Sequence, residues 1–351
     1  MNRGSGEIYF IQEMPFRSLT FPALVKVGKV KDKSQEKSSY ARRKNLQTGN
    51  PRRLHLTDDR IIQTHLVTRV ERHLHDRYAT KRVRGEWFEV ESKDSLNSMI
   101  AIAVAVAEDV KDRVLLKEQV DALSNLSDNT VVIPSTQEVT DLATEFVIAD
   151  KKISKIKQVE EIILGKLRSA FDLGIDHRDA LTIDTKKNEF KLDKKTLKLE
   201  HPDVYENYRD KPVNVKGSFL VSKKFRNSVC ISQSLNYEEF ISTIKEIKNS
   251  VKQVVGDENA YSLNRQVLEL TEIKAHLDWN LYWLKQQLQI ECGENRGIQD
   301  ICMWSKRTGI RKEFNQNAFE KSNKQLFQQY QIENPPTISL TRWQIHPDAP
   351  T

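Results

Sequence analysis

No apolar run in this chain is longer than the nine residues Met99 to Ala107, about half of what a bilayer-spanning helix requires. Nor does a basic, apolar and small-residue series open the sequence, so the expectation is a soluble, unprocessed protein with no membrane partner. Cysteine is scarce: Cys230, Cys292 and Cys302 stand without CxxC spacing or clustered histidines. That set supports neither a disulfide framework nor a zinc site and suits a reducing cytoplasm. A Walker-type glycine loop, a dinucleotide fingerprint and a zinc-finger pattern are also missing, so nucleotide-driven chemistry is not indicated.

What the chain has is length and unevenly placed charge. Its 351 residues exceed the usual single-domain size and predict two or three domains. Of the formal net charge of +7, residues 1–91 carry +8, with nineteen Lys+Arg against eleven Asp+Glu; the rest of the chain is nearly neutral. A local basic excess attracts a polyanion, and releasing its condensed counterions makes such binding salt-dependent.

Ile8 to Ile11 and Leu24 to Val30 are apolar and β-branched, punctuated by Pro22, and predict two strands of a small sheet. Helix formers from Ser39 run to a Thr48-Gly49-Asn50-Pro51 stop, which puts Arg42 on a short helix. A strand near Leu54 to Ile62 is followed by Leu66, Val70, Leu74 and Tyr78 at four-residue spacing, a helix with Thr64 as its expected N-cap. Glu71 and His75 lie four apart on a neighbouring face. Glu86 to Val90 reads as an edge strand, and this first unit is expected to end near residue 93.

Four signals fall in order here: Glu7-Ile8-Tyr9; Lys26-Val27-Gly28; Arg42-Arg43 before Leu46-Gln47-Thr48-Gly49-Asn50-Pro51; and Val70-Glu71-Arg72-His73-Leu74-His75 before Gly85-Glu86-Trp87-Phe88. The series resembles the GIY-YIG nuclease superfamily, in particular its phage and bacterial branch with lysine in place of the second tyrosine. The resemblance covers about a quarter of the chain and implies an α+β fold, a small mixed or antiparallel sheet with flanking helices, that cuts DNA with one divalent ion, Mg²⁺ or Mn²⁺. Carried over by position, Tyr9 orients or deprotonates the attacking water and Lys26 offsets developing charge. Gly28 gives the backbone room, and Arg42 holds the phosphate with its fork of donors, Arg43 being the alternative one place on. Glu71 is the metal ligand, a hard oxygen donor suited to Mg²⁺. His75 assists the leaving group or contacts the phosphate, and Glu86 is a further carboxylate near the metal. Two positions depart from the family: Glu7 stands where the first motif has glycine, with Gly6 one place early, and the family's late asparagine has no clear counterpart.

Residues 94–145 read as a helical connector broken at Pro134. Beyond it a duplicated α+β module is expected, in copies 146–225 and 226–351, because self-similarity is visible. Ile156-Lys157, Lys187-Asn188-Glu189-Phe190 and Val204-Tyr205-Glu206-Asn207-Tyr208 answer Ile273-Lys274, Arg311-Lys312-Glu313-Phe314 and Leu326-Phe327-Gln328-Gln329-Tyr330. Each copy predicts a long helix, a short strand, a short helix ending in tyrosine, and a closing strand at Phe219 to Val221 or Arg342 to Ile345. The order faintly resembles the accessory module of λ-exonuclease and YqaJ-type phage nucleases. The whole predicts a phage, mobile-element or defence endonuclease whose partner is DNA, with the C-terminal region for target recognition and a homodimer as one route to double-strand cleavage. The competing readings are a non-catalytic nucleic-acid binder that keeps the fold, and a C-terminal protein-protein platform.

Overall fold

The computed structural model describes residues 4–14, 23–31, 38–126, 129–174, 179–184, 189–215, 217–234, 236–253, 259–306 and 309–345. Its fold is α+β. Strands β1 (Gly6–Met14) and β2 (Ala23–Lys31) pair antiparallel, with Tyr9 opposite Gly28 and Ile11 opposite Lys26. Side chains alternate across a strand, so Ile8, Phe10, Val25 and Val27 enter one core while Tyr9 and Ile11 pack on the other face with Leu54 and Leu56. Lys26 and Gly28 therefore share the face of Tyr9.

Helix α1 (Ser39–Gln47) ends at the Thr48-Gly49 stop, and β3 (Arg53–His55), β4 (Ile61–Thr64), α2 (Val67–Arg77), β5 (Arg82–Arg84) and β6 (Trp87–Val90) complete this unit. The sheet order is β3-β1-β2-β6-β5, with β4 also beside β1. The single strand expected over Leu54 to Ile62 is two, because Asp58–Arg60 forms a 3-10 turn whose Asp58 carboxylate accepts from Tyr40 Oη at 2.6 Å. Thr64 does not cap α2; its hydroxyl donates to the His65 carbonyl at 2.9 Å. The cap is Leu66, at φ 49°, and Val67 N–H donates to the Gly4 carbonyl at 2.8 Å.

Ser92 caps α3 (Lys93–Ser124), accepting from Ser95 N–H. Leu96, Met99, Ala103, Val106, Ala107 and Val110 of this helix are buried in the same core as Phe10, Val70, Leu74 and Phe88. The apolar run that was too short for a membrane thus covers one face of the sheet, and this core continues past residue 93. Then follow β7 (Val132–Ile133) and α4 (Gln137–Asp172), which starts three residues after Pro134 and runs unbroken through residue 145.

The rest of the chain is β8 (Leu181–Asp184), β9 (Phe190–Leu192), α5 (Lys194–Glu200), α6 (Pro202–Asn207), β10 (Lys211–Val215), β11 (Ser218–Val221), α7 (Lys223–Ser228), α8 (Tyr237–Gln253), α9 (Asn259–Cys292), β12 (Gly297–Ile298), β13 (Cys302–Ser305), β14 (Gly309–Glu313), α10 (Gln316–Ser322), α11 (Lys324–Gln329), β15 (Gln331–Glu333) and β16 (Thr337–Leu340). Its pairing is reciprocal. β9 pairs with β15 and β10 with β14, β8 with β16 and β11 with β13, all antiparallel. Asp193 N–H donates to the Tyr330 carbonyl at 2.8 Å, and Asn315 N–H to that of Tyr208 at 2.6 Å. Leu192 and Phe314, Leu197 and Phe319, Tyr205 and Phe327, Tyr208 and Tyr330 meet in one core, each pair 122 residues apart by subtraction.

The structural register corrects the sequence alignment by two residues: Leu192, not Phe190, corresponds to Phe314, and Phe190 is 49% exposed. Both aligned residues precede a capping Asp193 or Asn315, and the cap sets the register. Lys187 and Asn188 lie outside the described residues. The second closing strand is Thr337–Leu340 and not Arg342 to Ile345, because it is Ile338 and Leu340 that pair with Ile183 and Leu181.

Candidate active site

The site is built on a half-open strand edge. β6 pairs with β2 only from Ala23 to Lys26, so beyond Val27 that side of β2 has no strand partner among the described residues. Val27 sends both backbone polar groups there: its N–H donates to the Glu86 carbonyl at 3.0 Å, and its carbonyl meets His75 Nε2 at 2.8 Å. A carbonyl only accepts, so Nε2 carries the proton. His75 is buried against Phe88, and burial lowers its pKa to about 4 against the opposing Val27 hydrogen bond. A neutral imidazole therefore ties α2 to β2, with its Nε2 proton engaged.

One turn earlier on the same helical face, Glu71 pairs with Lys29, with 8% of its side chain exposed against 25% for the lysine. Burial raises the Glu71 pKa, opposed by the hydrogen bond and charge of Lys29. On the Tyr9 face, Lys26 is 7% exposed, pairs with Glu86 and lies 5.9 Å from the Trp87 ring centroid. Burial alone would raise the Glu86 carboxyl, but the Lys26 hydrogen bond and charge outweigh it and hold the carboxyl below its ordinary value. The charges of Lys26 and Glu86 both act on Glu71, so the two ion pairs belong to one electrostatic site.

Tyr9 is 1% exposed. Burial raises its pKa, and the Arg42 guanidinium, by hydrogen bonding and charge, works the other way. Gly28 supplies the space: a Cβ there would stand 2.4 Å from Tyr9 Oη and 2.5 Å from Cζ. Gly6 is likewise held close to its neighbour strand, where a Cβ would meet the Val30 carbonyl oxygen at 2.0 Å.

Arg42 is exposed on α1, while Arg43 turns inward and donates through Nη1 to the Leu54 carbonyl at 3.3 Å. That hydrogen bond commits Arg43 to β3 and leaves Arg42 beside Tyr9. Glu7, which departs from the motif, holds α1 in place. Its Oε2 accepts from Ser39 N–H at 2.8 Å and from Ser39 Oγ at 2.5 Å, and its Oε1 accepts from Gln63 Nε2 at 3.1 Å. Ser38 adds a cap to Ala41 N–H at 3.2 Å, so the orphan donors of the first turn are met partly from β1. In the sequence Glu7 stood out only as a departure from the motif, and Lys29 not at all. The available signals were the shared strand face of Glu7 and Tyr9, and the position of Lys29 just beyond Gly28.

Among the described residues no three His, Cys, Asp or Glu groups converge as a metal cage. The donor set is one buried carboxylate with a second nearby, which suits a hard ion that keeps most of its waters.

The opposite side of α2 is fastened to α9. Arg69 lies 3.4 Å over the Tyr282 ring, the His73 ring packs tilted against Trp279 with centroids 4.6 Å apart, and Thr80 N–H donates to Glu272 Oε1 at 2.8 Å. Trp279 Nε1 donates to Asp109 at 3.0 Å, and Trp283 is buried in the core of the first sheet. No curated protein and no solved structure matches the chain. Residues 6–115, the stretch holding this sheet, its site and most of the helix that covers it, match the family model of the T5orf172 domain, a phage-associated, nucleic-acid-acting domain related to nuclease-type domains.

Proposed function

We propose that this domain is a metal-dependent DNA endonuclease with a GIY-YIG-type site. The observation that carries the reading is the grouping on one small sheet of the buried Tyr9, the Lys26–Glu86 pair and the buried Glu71, with the charges of Arg42 and Glu71 both acting on Tyr9. Phosphodiester hydrolysis needs an oriented water, neutralisation of the equatorial oxygens and help for the departing oxygen. The buried Tyr9 hydroxyl orients the water, with Arg42 easing loss of its proton. The Arg42 fork and Lys26 ammonium meet the phosphate oxygens, and Glu71 would hold Mg²⁺ or Mn²⁺, which would supply Lewis-acid neutralisation of the phosphate. His75 acts in this scheme by holding α2 against β2, and Gly28 and Glu7 hold Tyr9 and α1. The C-terminal region, bolted to α2 through α9, serves DNA or target recognition, and cutting both strands takes two engagements or a homodimer.

The test is supercoiled plasmid with wild-type or Glu71→Ala protein, in Mg²⁺ or EDTA. Nicking or linearisation by wild type with metal alone supports the nuclease. Equal cleavage by Glu71→Ala removes Glu71 as the ligand. A second reading, a nucleic-acid binder without turnover, is favoured by the internal pairing of both lysines with both glutamates. Retained, salt-dependent DNA binding with no cleavage by either protein on varied plasmids would select it.

A further inference from the structure

We infer that Lys29 is an internal counter-cation which must leave Glu71 before a divalent ion can bind there, so that loading of the site is coupled to arrival of a DNA phosphate. This rests on the reading of Glu71 as the metal ligand. Nothing in the motif series assigns Lys29 a role; its place in the fold does. It projects from β2 on the face of its cross-strand partner Ile8, the face that α2 covers, and meets Glu71 there.

A buried carboxylate is costly without a compensating cation. Lys29 supplies that compensation in the protein alone, and a divalent ion would supply it in its place. The two cannot share the carboxylate without repulsion, because like charges in a partly buried site interact strongly at contact distance. The two lysines of the site differ in freedom. Lys26 is buried, with 9% of its side chain exposed, whereas a quarter of the Lys29 side chain reaches solvent. Lys29 can therefore swing away on its flexible stem, while Lys26 stays.

A site with one carboxylate and waters binds Mg²⁺ weakly, so even a modest internal competitor decides whether it is loaded. A bound phosphate offers the displaced ammonium a new anion. Once Lys29 turns to the phosphate, Glu71 is freed for the ion at the moment the substrate is present. A purely structural ion pair would instead leave metal affinity unchanged when Lys29 is removed.

The experiment is a Mn²⁺ titration of the full chain at pH 8 without DNA, read by the electron paramagnetic resonance signal of free Mn²⁺. It compares wild type, Lys29→Met, Lys29→Arg and Glu71→Ala, together with the double variant Glu71→Ala/Lys29→Met. Lys29→Met is expected to tighten Glu71-dependent Mn²⁺ binding about tenfold, equivalent to about 1.4 kcal/mol, and Lys29→Arg to leave it at the wild-type value. Addition of an uncleavable phosphorothioate duplex should tighten Mn²⁺ binding by the wild type and have little effect on Lys29→Met. Should Lys29→Met fail to fold, Lys29→Gln replaces it, being neutral and polar. Equal Glu71-dependent affinity in wild type and the neutral variant overturns the gate while leaving the metal site standing. Absence of any Glu71-dependent Mn²⁺ binding in wild type and variant alike overturns the metal-site reading itself.

Discussion

Gly28→Ala is the sharpest perturbation of this site, because the geometry leaves its Cβ no room. The added atom would stand 2.4 Å from Tyr9 Oη, 2.5 Å from Cζ and 2.8 Å from Cε2. Ordinary carbon contacts lie near 3.5 Å, so the ring or strand must give by about 1 Å. The ring cannot swing out cheaply, since Tyr9 is 1% exposed and packed in a core with Ile11, Leu54 and Leu56. Overpacking of this kind costs about 1–3 kcal/mol. At about 2–4 °C per kcal/mol, Tm should fall measurably by scanning calorimetry. A reacting group misplaced by about 1 Å can lose about 100-fold in rate, so plasmid nicking should fall more steeply than stability.

Two controls isolate the cause. Gly49→Ala has nothing within 4 Å of its Cβ and should melt like the wild type. In a Tyr9→Ala background the clash partner is gone, so Gly28→Ala should add little further destabilisation, a coupling read by the double-mutant cycle. A Gly28→Ala protein that melts within about 1 °C of wild type, a shift too small for the overpacking cost above, and nicks at the wild-type rate would refute the packing of Tyr9 on Gly28.

Removing the Glu7 carboxylate (Glu7→Ala) strips α1 of a cap, which should cost about 0.5–2 kcal/mol and weaken DNA binding through Arg42; urea melts and fluorescence anisotropy check both. His73 and His75 both have folded pKa values near 4 against 6.5, chiefly through burial. With the folded value depressed, their stabilisation is present above about pH 6.5 and is lost as pH falls toward 4, amounting to about 2 kcal/mol each between pH 7 and 5. Urea melts at pH 7 and pH 5 should show that loss, and His73→Gln or His75→Gln should each flatten the dependence; an unchanged slope would contradict the buried neutral state. Leu197→Ala and Phe319→Ala remove equivalent side chains, both fully buried in one core. Each should cost about 2–5 kcal/mol, with a double variant less than additive because the two share neighbours; strict additivity in denaturant melts would argue for separate cores.

Much of the first unit was legible because its signals are local. Apolar, β-branched runs at Ile8 to Ile11 and Leu24 to Val30, and the Gly-Asn-Pro stop after Gln47, give strands and a helix wherever the chain folds. The break at Asp58–Arg60 was not legible, since the turn is held by Tyr40 from another element. The free edge of β2 was equally hidden, because which strand stops pairing early is a property of the assembled sheet. Glu71 could be named from its motif, but its partner Lys29 could not, as 42 residues separate them. Sequence favoured Arg42 over Arg43 by one place of register only, and the Leu54 carbonyl is what engages Arg43. The self-similarity was visible in its aromatic residues. Its register was two residues off at Phe190, because exposed and buried aromatics look alike until the caps at Asp193 and Asn315 fix the frame.

The reciprocal strand exchange has a consequence for how the chain folds as it is made. Among the described residues β9 and β10 pair with β15 and β14, so their hydrogen bonds wait for residues emerging about 140 and about 100 positions later, about 5–30 s at ordinary rates of synthesis. Neither half can finish its own ladder, and the contacts that close it are distant in sequence, the kind that fold slowly. Until they close, the early strands present open edges. The first sheet, by contrast, takes its strands from residues 6–90 and can form while the later region is still waiting for its second half.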